Sequence, residues 1–187
     1  MATCQYLPEG GECVASGYVD ANLKAPKSTT GFLFKLAGAT VIAKSKMQPV
    51  TAIATYDAEY YAMSSAMLVA IWFQMLLKEL SPLFEKRYNK CLINGPMVVH
   101  GDNAAVVRMM QEKAISNRAR HIALRWHHMM GAIKAGLVEP HSISGDFNPS
   151  DCMTKALDGV KTKLQRDDIL GLKLMDKLQG KKLPKHL

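Results

Sequence analysis

Met97-Val98-Val99-His100-Gly101-Asp102-Asn103 is an apolar, β-favouring run that ends in an acid, and from Asn103 to Gln111 the pattern turns helical. A buried strand that delivers a carboxylate and passes straight into a helix belongs to a sheet with helices packed on it. An earlier strand-like run, Val14-Ala15-Ser16-Gly17-Tyr18-Val19-Asp20, closes on an acid in the same way. Between the two, Phe32 to Leu36 and Thr40 to Ser45 are strand-like and are separated by Ala37-Gly38-Ala39, a small-residue turn suited to a hairpin. Three antiparallel strands follow from this spacing.

From Asp57 to Leu80, Glu59, Ala62, Met63, Ala66, Ala70, Phe73 and Leu77 recur at spacings of three and four, the signature of a helix with one packed face. Thr55 is the expected cap and Pro82 the expected stop. Glu59 then lies in the first turn, on or near the face against the sheet, and the stripe Met63, Met67, Ile71, Met75 reads as core. After a polar, basic connector from Glu85 to Gly95 come the strand and helix around Asp102. A further helix is expected over Arg120 to Ala135, closed by Gly136, then a strand from Leu137 to Ser144 interrupted by Pro140. Asp151 opens a short last helix to about Leu157, with Ser150 as cap. This order demands an α/β fold with a mixed sheet and helices on its faces. In such sheets, sites form at the carboxyl ends of parallel strands.

The chain has 187 residues, 48% of them apolar, enough for one good core. Its 24 Lys and Arg against 16 Asp and Glu give a formal charge of +8, which favours a polyanionic partner. Ala62 to Leu77, the most apolar stretch, carries Ser64, Ser65 and Gln74 and reads as too short and too polar to span a bilayer. No signal peptide opens the chain, so an intracellular setting is expected. The four cysteines, Cys4, Cys13, Cys91 and Cys152, lack C-x-x-C spacing and read as free thiols.

Four acids stand in short apolar frames: Asp20, Glu59, Asp102 and Asp151. A carboxylate beside an apolar core is costly unless a cation or hydrogen bonds compensate it, so four of them together point to a metal site. Taken singly, each has a plainer explanation as a cap or turn residue, since a negative charge in a first helical turn is favourable by about 0.3–1 kcal/mol. Asp57, on a different helical face, and Asp146 read as solvated. His121 and His127 are six apart, off the spacing that joins two ligands on one helix face, which argues against zinc there.

Gly17-Tyr18-Val19-Asp20-Ala21, Ser28-Thr29-Thr30-Gly31-Phe32, Ser45-Lys46-Met47-Gln48-Pro49, Ala58-Glu59-Tyr60, Gly101-Asp102-Asn103, Arg120-His121-Ile122 and Asp151-Cys152-Met153-Thr154-Lys155 follow one another over residues 17 to 157. This succession resembles the ribonuclease H domain of copia-type LTR retrotransposon Pol polyproteins. Gln5-Tyr6-Leu7 also resembles the end of the family's connection from reverse transcriptase. After Asp20 the family's Asp-Trp pair and longer acidic loop give way to the short, basic Asn22-Leu23-Lys24-Ala25-Pro26-Lys27.

The resemblance implies a ribonuclease H-like, five-stranded mixed sheet, three antiparallel strands then two parallel, over residues 15–157. A remnant of a connection would precede it (1–14) and a basic extension follow it (158–187). It implies hydrolysis of the RNA strand of RNA/DNA hybrids with two Mg²⁺, or Mn²⁺, held by Asp20, Glu59, Asp102 and Asp151 as catalytic ligands. Ser28, Thr30, Lys46, Asn103 and Arg120 are the candidate substrate contacts, within the wider cationic set Lys24, Lys27, Lys44, Arg108, Lys113, Arg118 and Arg125, because a hybrid is gripped through phosphates and 2′-hydroxyls. The expected partners are the hybrid, an upstream reverse transcriptase domain or a larger host assembly, and no membrane. A domesticated, non-catalytic module that binds nucleic acid or protein, or serves as a structural subunit, is the alternative. An integrase or resolvase of the same fold would need a different order of acids.

Overall fold

The computed structural model describes residues 15–89, 91–112 and 123–171. Expectations placed on Gln5 to Leu7, Cys4, Cys13, Lys113, Arg118, Arg120, His121 and the chain beyond Gly171 lie outside the described residues. The elements are β1 (Ala15–Asn22), β2 (Thr29–Leu36), β3 (Ala39–Met47), α1 (Thr55–Tyr88), β4 (Met97–Gly101), α2 (Ala104–Glu112), α3 (Ala123–Lys134), β5 (Val138–Ser142) and α4 (Gly159–Ile169). Two 3-10 turns, Gly145–Phe147 and Pro149–Met153, join β5 to α4.

The strands form one sheet in the order β3-β2-β1-β4-β5. β1, β2 and β3 are antiparallel, while β4 runs parallel to both β1 and β5, the mixed arrangement expected from the element order. Side chains alternate across β1. Gly17 and Val19, opposite Phe34 and Phe32, face α1, whereas Asp20, opposite Gly31, faces the other side. Ala58, Tyr60, Ala62, Met63, Ala66, Met67, Ala70, Phe73 and Leu77 of α1 are buried with Phe34, Met97 and Val99 of the sheet. Glu59, Met63 and their periodic companions thus occupy the packed face read from the sequence, but Met75 at the end of the methionine stripe is 55% exposed. The stripe's four-residue step drifts around a 3.6-residue helix until it leaves the core.

Two expected boundaries of α1 are corrected. Ala54, in an extended conformation, stands at the cap position in place of Thr55, and its amide donates to the Asp57 carboxylate at 3.1 Å. At the other end, the helix runs through Pro82 to Tyr88. Proline withdraws one amide from the ladder, but Pro82 and Lys78, whose carbonyl loses that donor, are both exposed, so the loss falls on the solvent-facing side of the helix, where it costs least. Ser81 also ties this stretch down: its hydroxyl bonds the Leu77 carbonyl at 2.9 Å and accepts the amide of buried Leu92 at 3.3 Å. Length and composition alone would let α1 cross a bilayer, yet 56% of its most apolar window is buried inside the protein.

Pro140 sits within β5 rather than interrupting it, because β5 is an edge strand and its missing amide breaks no inner ladder. Asp151 opens no α-helix; it lies in the 3-10 turn Pro149–Met153, capped by Asn148 instead of Ser150. The true helix, α4, lies in the segment read as an extension. It is fastened to the sheet by an ion pair between Lys35 of β2 and Asp168.

The turn that carries Asp151 rests on β2 at Gly31. A Cβ there would come within 2.5 Å of the Met153 Cβ and 3.2 Å of the Met153 carbonyl carbon. Gly31→Ala must push backbone away, so a stability loss of about 1–3 kcal/mol is expected, measurable as a lowered thermal midpoint. An unchanged midpoint would mean that the turn yields freely.

Candidate active site

Val19 pairs with Gly101 in the parallel ladder between β1 and β4, so Asp20, which lies inside β1 two residues before its end instead of closing it, stands beside Asp102, which follows β4 directly. Glu59 reaches them from the start of α1. Its approach is set by Gln48, almost wholly buried, whose amide donates to the Thr30 hydroxyl at 3.0 Å and to the Ala58 carbonyl at 2.9 Å, linking β2 to α1. One carboxylate oxygen from each of Asp20, Glu59 and Asp102 lies within 4.8 Å of the others. Asp20 is 1% exposed and Glu59 8%. An all-oxygen, all-carboxylate donor set suits a hard divalent cation such as Mg²⁺ or Mn²⁺, and offers nothing to a thiophilic one.

Asp151, 2% exposed, is arranged differently. Asn148, buried in the joint between strand and turn, donates from its amide to the Val19 carbonyl at 2.9 Å. Its side-chain oxygen accepts the Ser150 amide at 3.2 Å and the Ser150 hydroxyl at 2.6 Å. Gln165 of α4 closes the joint, donating to the Asn148 carbonyl and accepting the Cys152 amide, both at 3.0 Å. Asp151 is thereby aimed toward the other acids, but its oxygens meet two ammonium groups, Lys155 at 3.1 Å and Lys161 at 3.0 Å. Lys155 also stands 3.8 Å from Asp20, and the Thr154 hydroxyl donates to the Asp20 carboxylate.

The electrostatics follow from crowding acids in a place shielded from water. Burial raises the Glu59 carboxyl to about 9, with Asp20 and Asp102 adding to the rise and Lys155 and the Ala21 backbone opposing it. Burial likewise raises Asp20 to about 6, against the pull of Thr154 and Lys155. Asp102 is shifted up by burial and then by Asp151. For Lys155, burial works against the charge, but Asp20, Asp151 and Asp102 outweigh it and hold the ammonium above its usual range. A cluster whose Glu59 keeps its proton at neutral pH, with Asp20 and Asp102 also shifted up, is short of positive charge.

The candidate substrate contacts fall into two groups. Lys46 is exposed at the rim of a pocket of about 190 Å³ that Thr30, Lys44, Gln48, Tyr61 and Ser65 also line. Arg125 lies over the Tyr61 ring at 4.0 Å and donates to Ser64 at 3.4 Å. Ser28 and Thr30 are buried, and the Thr30 hydroxyl is engaged by Gln48, so they belong to the floor more than to the surface. Asn103 caps α2, its side-chain oxygen accepting the Ala105 and Val106 amides at 3.2 Å each. Arg120 lies outside the described residues. His127 and His128 are exposed on α3, His100 stacks on Tyr18, and His141 pairs with Glu139 at 2.9 Å, apart from the acids. Cys91 and Cys152 are free thiols as expected.

Sequence reasoning singled out the four acids but passed over Asn148, Lys161 and Gln165, which place the last of them. Lys155, four residues from Asp151, was visible inside the quoted motif. Lys161 and Gln165 carry no local signal, because a turn and a helix must fold back before they meet Asp151.

No protein-family model matches the chain. The retrovirus-related Pol polyprotein from transposon TNT 1-94 of Nicotiana tabacum is 28% identical over 162 residues, 84% of this chain and 11% of the polyprotein. That from transposon RE2 of Arabidopsis thaliana is 23% identical over 159 residues, 83% of this chain and 10% of the polyprotein. The chain therefore spans about a tenth of the length of these relatives. Among solved structures, LC11-RNase H1 in complex with RNA/DNA hybrid aligns with TM-score 0.50 and 15% identity over 86% of this chain and 99% of that one. RNase H1 from the halophilic archaeon Halobacterium salinarum aligns with TM-score 0.50 and 14% identity over 77% and 95%. The strand order and the solved structures agree that this chain has the ribonuclease H fold, and its sequence relatives are transposon Pol polyproteins.

Proposed function

We propose that the protein is a divalent-metal-dependent endoribonuclease that hydrolyses the RNA strand of RNA/DNA hybrids. The observation that carries this reading is the convergence of Asp20, Glu59 and Asp102 within 4.8 Å at the carboxyl ends of β1 and β4 and the start of α1. These three carboxylates, with Asp151 beside them, are the residues that would hold Mg²⁺ or Mn²⁺. When bound, a pair of such ions activates water and stabilises the departing oxyanion in phosphodiester hydrolysis.

The chain's own side chains supply the rest. Lys155, beside Asp20 and Asp151, offsets acid charge where an anionic phosphodiester must approach. Exposed Lys44 and Lys46 at the pocket rim provide backbone phosphate contacts, which need charge and donors rather than base readers. The apolar packing of Met63 against Gly101, where a Cβ would meet the Met63 Cε at 2.5 Å, keeps β4 close to α1 and so keeps Asp102 close to Glu59.

The test is gel-resolved cleavage of an end-labelled RNA/DNA hybrid by the parent and by Asp102→Asn, with Mg²⁺, with Mn²⁺ and with EDTA. The expected result is metal-dependent cleavage of the RNA strand alone by the parent and none by the variant. Binding of the hybrid without cleavage by either protein would replace this reading with that of a nucleic-acid-binding module.

A further inference from the structure

Asp151 differs from the other acids in meeting two ammonium groups. It is 2% exposed, and its two oxygens each meet an ammonium, Lys155 Nζ at 3.1 Å and Lys161 Nζ at 3.0 Å. Lys155 comes from the same turn. Lys161 comes from α4, whose start is capped by the Asp158 side chain accepting the Lys161 amide at 2.8 Å. The helix is held in place at two points: Gln165 binds both ends of the Asn148–Cys152 segment, and Asp168 pairs with Lys35 of the sheet. A helix so fastened presents Lys161 to Asp151 by construction.

We propose that Lys161 is a positioning residue for Asp151: it holds the carboxylate by Oδ2 in the absence of a divalent cation and competes with that cation for this oxygen. The inference rests on the reading of the acids as a metal site. A buried carboxylate needs a counter-charge to keep its place, and Lys161 provides one from a side chain whose head remains partly exposed and is free to withdraw into water. An incoming cation that takes Asp151 Oδ2 must displace that ammonium, because the two need the same oxygen and repel one another. The Asp20, Glu59 and Asp102 oxygens bear no such burden from Lys161. Two classes of cation affinity follow, a tighter one at the three-acid cluster and a weaker one that includes Asp151.

The experiment is Mn²⁺ titration of the full chain without nucleic acid, read by calorimetry and by loss of the free-Mn²⁺ paramagnetic signal, on the parent, Lys161→Met, Lys161→Gln and Lys161→Arg. The neutral variants are expected to bind the weaker Mn²⁺ on the order of tenfold more tightly than the parent, with the tighter ion unchanged. Lys161→Arg, which keeps the charge, should behave as the parent does. A weaker uptake that is the same in all four proteins, or absent from all, overturns the proposal while leaving the three-acid site standing. No uptake by any protein overturns the metal reading and the proposal together. Using two neutral replacements keeps the result readable should one of them fold poorly.

Discussion

Glu59→Gln is expected to abolish hybrid cleavage, by about 10³-fold or more, and yet to stabilise the metal-free protein at alkaline pH. On the proposed metal-dependent reading, the first effect follows from removing a charged ligand whose interaction with cations would be worth several kcal/mol in the reaction, at about 1.4 kcal/mol per factor of ten. The second follows from proton linkage. The Glu59 carboxyl lies at about 9 in the folded protein against 4.5 in a free chain, chiefly because it is buried. Between those values the folded state binds the proton that the unfolded state has released, so stability is full below about 4.5 and falls as pH rises toward about 9. Glutamine resembles the protonated acid and escapes this loss. The variant and the parent should therefore melt close together at pH 5, and at pH 8 the variant should be favoured by about 4 kcal/mol, or about 8–16 °C. Thermal melts in EDTA across that range are the measurement. A parent whose midpoint does not fall relative to the variant would show that Glu59 is not held in a charge-poor place. Saturating Mg²⁺ should erase or reverse the difference, since it supplies the charge that the acids lack.

The second large effect is structural. Asn148→Ala should destabilise the protein by about 3–4 kcal/mol, lowering the thermal midpoint by about 10 °C. The side chain is fully buried and serves the Val19 carbonyl, the Ser150 amide and the Ser150 hydroxyl at once. Truncation leaves these groups without that partner in a place water does not readily reach, which is costlier than the net worth of the bonds themselves. It also frees the turn next to Asp20 and carrying Asp151, so cleavage should fall even at temperatures where the variant is folded. A midpoint within about 2 °C of the parent's would mean that Gln165 and the Met153 contact on Gly31 hold the turn alone.

The packed face of α1 was legible because a 3.6-residue period and a row of Ala, Met and Phe describe the same surface, and burial selects for both. The four acids were legible because each interrupts an apolar frame, where a charge is unexpected without a purpose. The ends of α1 were not. Thr55 and Pro82 are local signals, and here Asp57 caps from within the helix while exposed backbone tolerates the proline. Ser28, Thr30 and Asn103 read as polar groups open to a substrate. Folding turned the first two inward, where Gln48 engages the Thr30 hydroxyl and the Ser28 hydroxyl has no partner among the described residues, and gave the third to the amides of α2, which its position just before the helix puts within reach.

By itself the sequence determined the mixed sheet with helices packed on it and its three antiparallel strands, and the resemblance of its ordered motifs supplied the two parallel strands that follow. The first two depend on residue periodicity and on an order of elements that only a few topologies satisfy. What the tertiary structure decided is how the acids are compensated. Asp20, Glu59 and Asp102 converge because the β1–β4 register and Gln48 bring them together. Asp151 instead faces Lys161, ten residues away along a chain that must form a 3-10 turn and then a helix before the pair can meet. Coulombic interaction depends on distance and on exclusion of water, and neither is written in spacing along the chain.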